Sequence, residues 1–428
     1  MPSSQMLGLA LLLCADGRVV GAQDTVPELV ARADTAYERG DFAAARPDYE
    51  AALAAAPHEV RLRERLAFVD FYTARYPAAV AGFAAVADAD PSKRRLMLAY
   101  TAFAQYLTGD YAGVVATLET LGRVNVLDIQ QVRAMSQAPP YQIDPNAPDP
   151  AVLPFLQSDP LPVVEIDVNS RKACVLIDTG AAQLVLDPEF ANEVGVNPTS
   201  SQEVKGFAGG KTASVSYGMA QSVSLGGIGM ANVPVWVVPT RTFSSDFGRQ
   251  IDGILGTEVL MQFLPTVAYR DAQLVLRRKT EANRVAVRAA EADAVVPFII
   301  DGIHYMYGPC LINGKGPTLT YFDSGMADDH NAALRLSRAA LEDLGLPAPA
   351  LTEQGVGGAG AFEYGYVDIE SIQVGSLTQH GLKATYSGEE GNVLSATGYR
   401  KYGLLSHNFL RHYNWTIDFE RREFRFEE

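Results

Sequence analysis

The chain has 428 residues, 48% apolar and 20% charged, with 37 glycines and 24 prolines, a composition that excludes disordered, collagen-like and coiled-coil chains. At about 150 residues per domain, this length suggests roughly three domains. Fifty acidic against 35 basic side chains leave a net charge of −15, which disfavours nucleic acid and anionic membrane surfaces as partners. Only three cysteines occur, and neither Cys nor His residues pair within a few positions, so a structural zinc site and a disulfide scaffold are excluded.

In chain order, the first element is the apolar run from Met6 to Ala15, followed by the small residues Gly21 and Ala22. This is the pattern of an export signal over residues 1–23, although no Lys or Arg precedes the run and Leu13 is too large for a lipoprotein cleavage site before Cys14. Ten residues span about 15 Å as a helix, half a bilayer, so the mature protein is expected to be periplasmic or secreted and not membrane-bound. Cys174 and Cys310 are expected as two buried thiols.

Residues 24–136 follow a helical plan. Between Val26 and Gly122 a pattern recurs at a period near 34. Gly40-Asp41-Phe42 turns one helix into the next, Ala45, Tyr49 and Ala52 follow at helical spacing, and Pro57 closes the unit. Tyr76, Ala79, Phe83 and Pro91 come one period later, then Gly109-Asp110-Tyr111. Small residues let helices approach, and aromatics fill the gaps between stacked units. The segment resembles two to three tetratricopeptide repeats, departing from them at Pro47 and at Arg75 in the turn, and the resemblance implies a possible protein partner docked on the repeats. Residues 137–154 carry closely spaced prolines, which forbid helix and stiffen the chain, and read as an interdomain linker.

From Leu161 the pattern becomes alternating and β-type, and one plan appears twice. In the first copy, residues 155–280, short strands deliver Asp178-Thr179-Gly180 to a tight turn. A Gly-rich segment follows at Gly206, Phe207, Gly209 and Gly210, and the half closes with Gly253-Ile254-Leu255-Gly256. In the second, residues 294–428, the order is Asp323-Ser324-Gly325, then Gly355, Gly357 and Gly358, then Gly403-Leu404-Leu405-Ser406. Seventy-five residues separate Asp178 from Gly253 and 80 separate Asp323 from Gly403, which argues for duplicated lobes.

A lone Asp-Thr-Gly is common in turns. The doubled arrangement behind apolar strands is specific, and over Leu161 to Phe426 the chain resembles the aspartic peptidases, namely retropepsin-like lobes in a fused, pepsin-like form. The resemblance implies a multidomain α + β protein, an α-helical repeat followed by a mostly β bilobal aspartic-protease fold, with Asp178 and Asp323 meeting between the lobes as the catalytic pair on a polypeptide substrate. Hydrolysis of an amide by water needs a base for the water and an acid for the departing nitrogen. Two adjoining carboxylates that share one proton supply both, as in the well-known aspartic-protease dyad. Thr179 and Ser324 are expected to bond across the lobes, Gly180 and Gly325 to permit the tight turns, and the Gly-rich segments to form flaps over the substrate. Met326, Ser406 and the charges of Asp328-Asp329-His330 set the second lobe apart from the first. The alternative is a non-catalytic peptide-binding or scaffold protein with a degraded protease-like cleft.

Other chemistries lack support. The six histidines show neither zinc-peptidase spacing nor a partner for a nucleophilic cysteine, and each is expected at the surface or locally bonded. Neither a Walker-type loop nor the strand-to-helix setting of a dinucleotide site is present, so no cofactor and no metal is expected.

Overall fold

The computed structural model describes residues 24–122, 127–207, 211–328, 330–357 and 360–428, and the expected export signal lies outside them. Seven helices come first: α1 Val26–Glu38, α2 Phe42–Ala55, α3 Val60–Tyr72, α4 Tyr76–Ala89, α5 Arg94–Leu107, α6 Tyr111–Leu121 and α7 Ile129–Gln137. Helices α1, α3 and α5 start 34 residues apart, and α2, α4 and α6 start 34 and 35 apart, which is the period of the turns. Each hairpin turns through a left-handed residue, Gly40 at φ 81°, Ala74 at φ 60° and Gly109 at φ 77°. Asp41 and Asp110 then cap the next helix by accepting the Ala44 and Gly113 N–H groups, each at 3.0 Å. In the middle turn Ala74 holds the glycine position, and Arg75 stands at the cap, where its side chain makes no capping hydrogen bond. Among the described residues no helix is long and apolar enough to cross a membrane.

The aromatic residues of α1 to α5 bury one cluster, with Tyr37, Tyr49, Phe68, Phe71, Tyr72 and Phe83 fully enclosed. That cluster does not end with the helices. Ile299, Leu319 and Tyr399 of the last third of the chain belong to it, the Tyr399 ring lying 5.4 Å from Tyr72 and 6.0 Å from Phe42. Polar contacts follow the same seam. The Asp301 carboxylate accepts the Tyr100 hydroxyl at 2.8 Å and the Tyr399 hydroxyl at 2.7 Å, and the Thr397 carbonyl accepts Tyr37 at 3.0 Å together with Arg65.

The expected linker needs correction. Gln142–Ile143 pairs with the strand Ile228–Val237, and Ala151–Pro154 pairs with Gln273–Arg277 while burying Ala151 and Leu153. Prolines forbid a helix there but tolerate sheet edges and strand ends, where a missing N–H costs nothing. Residues 142–154 are thus woven into two sheets.

Two eight-stranded sheets share a seven-strand plan, and each adds one edge strand at a different place. In the first the order is Gln142–Ile143, Ile228–Val237, Leu184–Leu186, Gly253–Leu255, Arg171–Ile177, Val163–Val168, Lys211–Leu225, Ser200–Phe207. In the second it is Ile299–Asp301, Tyr305–Ile312, Lys315–Phe322, Lys401–Leu405, Ala332–Leu336, Leu377–Tyr386, Gly360–Val374, Glu353–Gly357, with Tyr305–Ile312 also pairing to Gly360–Val374. Arg171–Ile177 runs parallel to Gly253–Leu255, and Lys315–Phe322 runs parallel to Lys401–Leu405. A third sheet joins the halves in the order Ala294–Pro297, Glu423–Glu427, Asn414–Asp418, Leu264–Ala268, Gln273–Arg277, Ala151–Pro154. Its middle is a local two-fold, where Thr266 pairs with Thr416 and their hydroxyls bond at 2.6 Å. Both lobes pour side chains into one buried cluster over this sheet. Of the two thiols, Cys310 is buried and Cys174 half-buried, and neither is bridged.

Candidate active site

Each candidate Asp stands where a strand ends against its parallel neighbour. The Asp178 N–H donates to the Leu255 carbonyl at 3.2 Å, and the Asp323 N–H donates to Leu405 at 2.9 Å. The next residues lock the two turns together. The Thr179 N–H donates to Ser324 Oγ and the Ser324 N–H to Thr179 Oγ1, both at 3.0 Å. Thr179 Oγ1 donates onward to the Phe322 carbonyl at 2.9 Å, and Ser324 Oγ to Ile177 at 3.2 Å. Both side chains are fully buried, so these reciprocal bonds exclude water.

Gly180 and Gly325 donate their N–H groups to Asp178 Oδ1 at 2.6 Å and Asp323 Oδ1 at 2.8 Å. Neither glycine needs a left-handed backbone. What each needs is the absence of a side chain. A Cβ at 180 would lie 2.7 Å from both Asp323 carboxylate oxygens and 2.8 Å from Asp178 Oδ1, and a Cβ at 325 would lie 2.0 Å from Asp178 Oδ1. The two carboxylates therefore adjoin, and they hydrogen-bond each other. Burial raises the pKa of both, and the Asp178 charge pushes Asp323 further, well above the usual carboxylate range.

The departures of the second lobe leave the backbone plan intact. The Met326 carbonyl accepts the His407 N–H at 2.9 Å, as Ala181 accepts Thr257 at 2.9 Å in the first lobe. Ser406 donates to the Ala332 carbonyl at 2.7 Å and accepts the Asn408 N–H at 3.1 Å. Asp328 accepts the His330 and Ala332 N–H groups at 3.0 and 2.8 Å, so its charge folds a turn beside the site. Asp329 lies outside the described residues.

The Gly-rich segments form hairpins. Gly206 and Phe207 end the strand Ser200–Phe207, where Phe207 pairs with Lys211, and Gly355 and Gly357 lie on Glu353–Gly357, where Gly357 pairs with Gly360. Gly209, Gly210 and Gly358 lie outside the described residues.

Three side chains at the turns escaped the sequence reading. Tyr321 donates its hydroxyl across the lobes to the Thr179 carbonyl at 2.7 Å, and Thr257 Oγ1 donates to the same carbonyl at 2.9 Å. His304, 1% exposed, hydrogen-bonds the Gly180 backbone, and burial pushes its pKa down to about 3. His407 is likewise buried, its pKa lowered to about 4. The expectation that the histidines lie at the surface or are only locally bonded fails for these two. No periodicity or spacing marks any of these residues.

Residues 164–259 match the family model described as aspartyl protease. None of the curated proteins matches the chain. Among solved structures, the chain is similar to a retropepsin-like aspartic protease from Rickettsia conorii at 18% identity, covering 32% of this chain and 91% of that one with a TM-score of 0.22. The first lobe is thus similar to the aspartyl protease family over a segment that contains Asp178, Thr179, Gly180 and Gly256.

Proposed function

We propose that the chain is an aspartic endopeptidase in which Asp178 and Asp323 form one catalytic unit. The observation that carries this reading is the reciprocal Thr179–Ser324 bonding, which seats the Asp178 and Asp323 carboxylates against each other. The pair holds one proton between two like charges, and in this reading it is assigned to Asp323, with Asp178 as the ionised base. The Asp178 carboxylate takes a proton from a water held between the pair as its oxygen attacks the peptide carbonyl, while Asp323 gives its proton to the carbonyl oxygen. Collapse of the resulting gem-diol returns the hydroxyl proton to Asp323, breaks the C–N bond and passes the proton on Asp178 to the departing nitrogen. The pair ends as it began, with one proton.

The hairpins at Ser200–Phe207 and Glu353–Gly357 are read as flaps over an extended peptide. The helical array serves as a brace for the second lobe, since its aromatic face is filled by Ile299, Leu319 and Tyr399 of the same chain. Export to the periplasm or medium belongs to the same reading. The test is incubation of the purified chain with a diverse peptide library from pH 3 to 8, read by mass spectrometry with and without a statine-type transition-state mimic. Internal cleavages suppressed by the mimic are expected. Binding of library peptides without cleavage at any pH would overturn the reading in favour of a peptide-binding protein.

A further inference from the structure

The lobes share a strand plan, and register fixes which residues correspond. Val185 pairs with Ile254 and Trp236, and Trp236 pairs in turn with Tyr217. At the matching places of the second lobe Arg335 pairs with Leu404 and Thr385, and Thr385 with Tyr366. Further along each hairpin Val215 faces Gln202 where Tyr364 faces Glu353, and Ala213 faces Val204 where Phe362 faces Gly355. Both faces adjoin the catalytic turns. Ala181 and Ile254 pack against the first, and the Arg335 guanidinium on the second acts through space on Asp323.

Only the first of these faces is filled. Val185, Val215 and Tyr217 share a buried cluster with Leu118 of α6 and with Val132 and Met135 of α7. Gln183, just past the catalytic turn, accepts Gln131 of α7 at 3.0 Å and is 1% exposed. On the second face Phe362, Tyr364 and Tyr366 stay half-buried and join none of the buried clusters built by the helical array. Their rings meet at 5.8 and 5.4 Å. Gly355 gives them room, since a Cβ there would lie 2.9 Å from Phe362 and 3.1 Å from Tyr364. The nearby cations are already engaged. Arg335, 5.3 Å from the Phe362 ring, bonds Ser387 and Glu389, and Lys383, 5.7 Å from the Tyr366 ring, pairs with Asp368 at 3.1 Å. The ladder therefore offers apolar ring surface and not free charge.

Apolar surface left open beside a cleft marks a place where an apolar group lands. The first lobe shows which groups such a face accepts, the aliphatic side chains of α6 and α7. We propose, resting on the peptidase reading above, that side-chain selection in this cleft is one-sided. An apolar side chain of the bound peptide lies on the ladder Phe362, Tyr364 and Tyr366, while α6 and α7 occupy the counterpart in the first lobe and shut it to substrate. Selection then operates on one side of the scissile bond only.

The test uses the wild-type full chain and labelled alanine peptides centred on a statine, which fixes their register on the two carboxylates and cannot be cleaved. One leucine is moved through the positions on either side, and dissociation constants are read by fluorescence anisotropy. Leucine should tighten binding by about tenfold on one side, as burial of one such side chain implies, and should leave it unchanged throughout the other. Phe362→Ala and Tyr364→Ala should each bring the ratio of leucine to alanine affinity back towards one. Equal gains on both sides, a gain that survives in both variants, or no leucine effect anywhere would overturn the inference. Cleavage of the peptide library decides the peptidase reading separately. Internal cleavage with selection on both sides keeps that reading and refutes one-sided selection, whereas one-sided leucine binding without cleavage does the reverse.

Discussion

Gly325 donates to its own Asp and leaves room for the opposite one, and only the second task forbids a side chain. Gly325→Ala would drive a methyl to 2.0 Å from Asp178 Oδ1. Activity on any cleaved peptide should fall below detection while circular dichroism shows a folded chain. Gly180→Ala should be milder, because its nearest atoms are at 2.7 Å. Glu258 supplies a second residue-level test. Burial lifts its pKa from 4.5 to about 7, so the folded state holds its proton more tightly than the unfolded state. That contribution is complete below pH 4.5 and is lost as pH rises through 7, an effect of about 3 kcal/mol. His304 has the opposite sign, since its pKa falls from 6.5 to about 3, so its contribution is present above 6.5 and is lost as pH falls. Urea unfolding at pH 5 and pH 8 should therefore show Glu258→Gln gaining stability on wild type as pH rises. Parallel curves would contradict that account. The two Asp-hydroxyl-Gly motifs were legible because all the chemistry of each turn lies within three neighbouring residues. Glu258 and His304 were not, since a single polar residue carries no pattern until the fold encloses it.

At the scale of elements, the hairpin turns were legible as a 34-residue period and the conformational demand at their centres was not. Ala74 adopts φ 60° where its two counterparts are glycine. Ala74→Gly should raise stability by about 1 kcal/mol, the cost of a left-handed non-glycine residue, read as an upward shift of the thermal midpoint. Helix α7 also does more than cap the array. Gln131 Nε2 reaches the Gln183 side chain at 3.0 Å and the Gly218 and Val235 carbonyls at 3.0 and 3.1 Å, all buried, so α7 grips the first lobe beside the base of its hairpin. Gln131→Ala would leave those acceptors without a donor and should cost about 2 kcal/mol. The short strands at 142–143 and 151–154 were hidden by their prolines. A strand of two or four residues shows no alternation, and its partners lie more than 80 residues away in the chain.

At the scale of the whole molecule, duplication was legible in the repeated order of motifs, whereas the joint between the parts was not. The central sheet draws strands from 151–154, 264–277, 294–297 and 414–427, and the helical array buries Leu319 and Tyr399 of the second lobe. The Arg400 N–H even donates to the Glu38 carbonyl of α1 at 2.7 Å. Deletion of residues 24–122 should therefore strip the Asp301 carboxylate of Tyr100, expose that apolar seam, and yield an aggregating chain without a cooperative transition. A soluble, cooperatively unfolding truncation would show the brace to be dispensable. The central claim is that one carboxylate from each lobe works as a single unit, and the most direct measurement is kcat/KM for Asp178→Asn, Asp323→Asn and the double variant on one cleaved peptide. Each single variant should lose nearly all activity and the double variant should be little worse, because the pair acts in one transition state. Substantial activity in either single variant, or losses that multiply in the double, would contradict it.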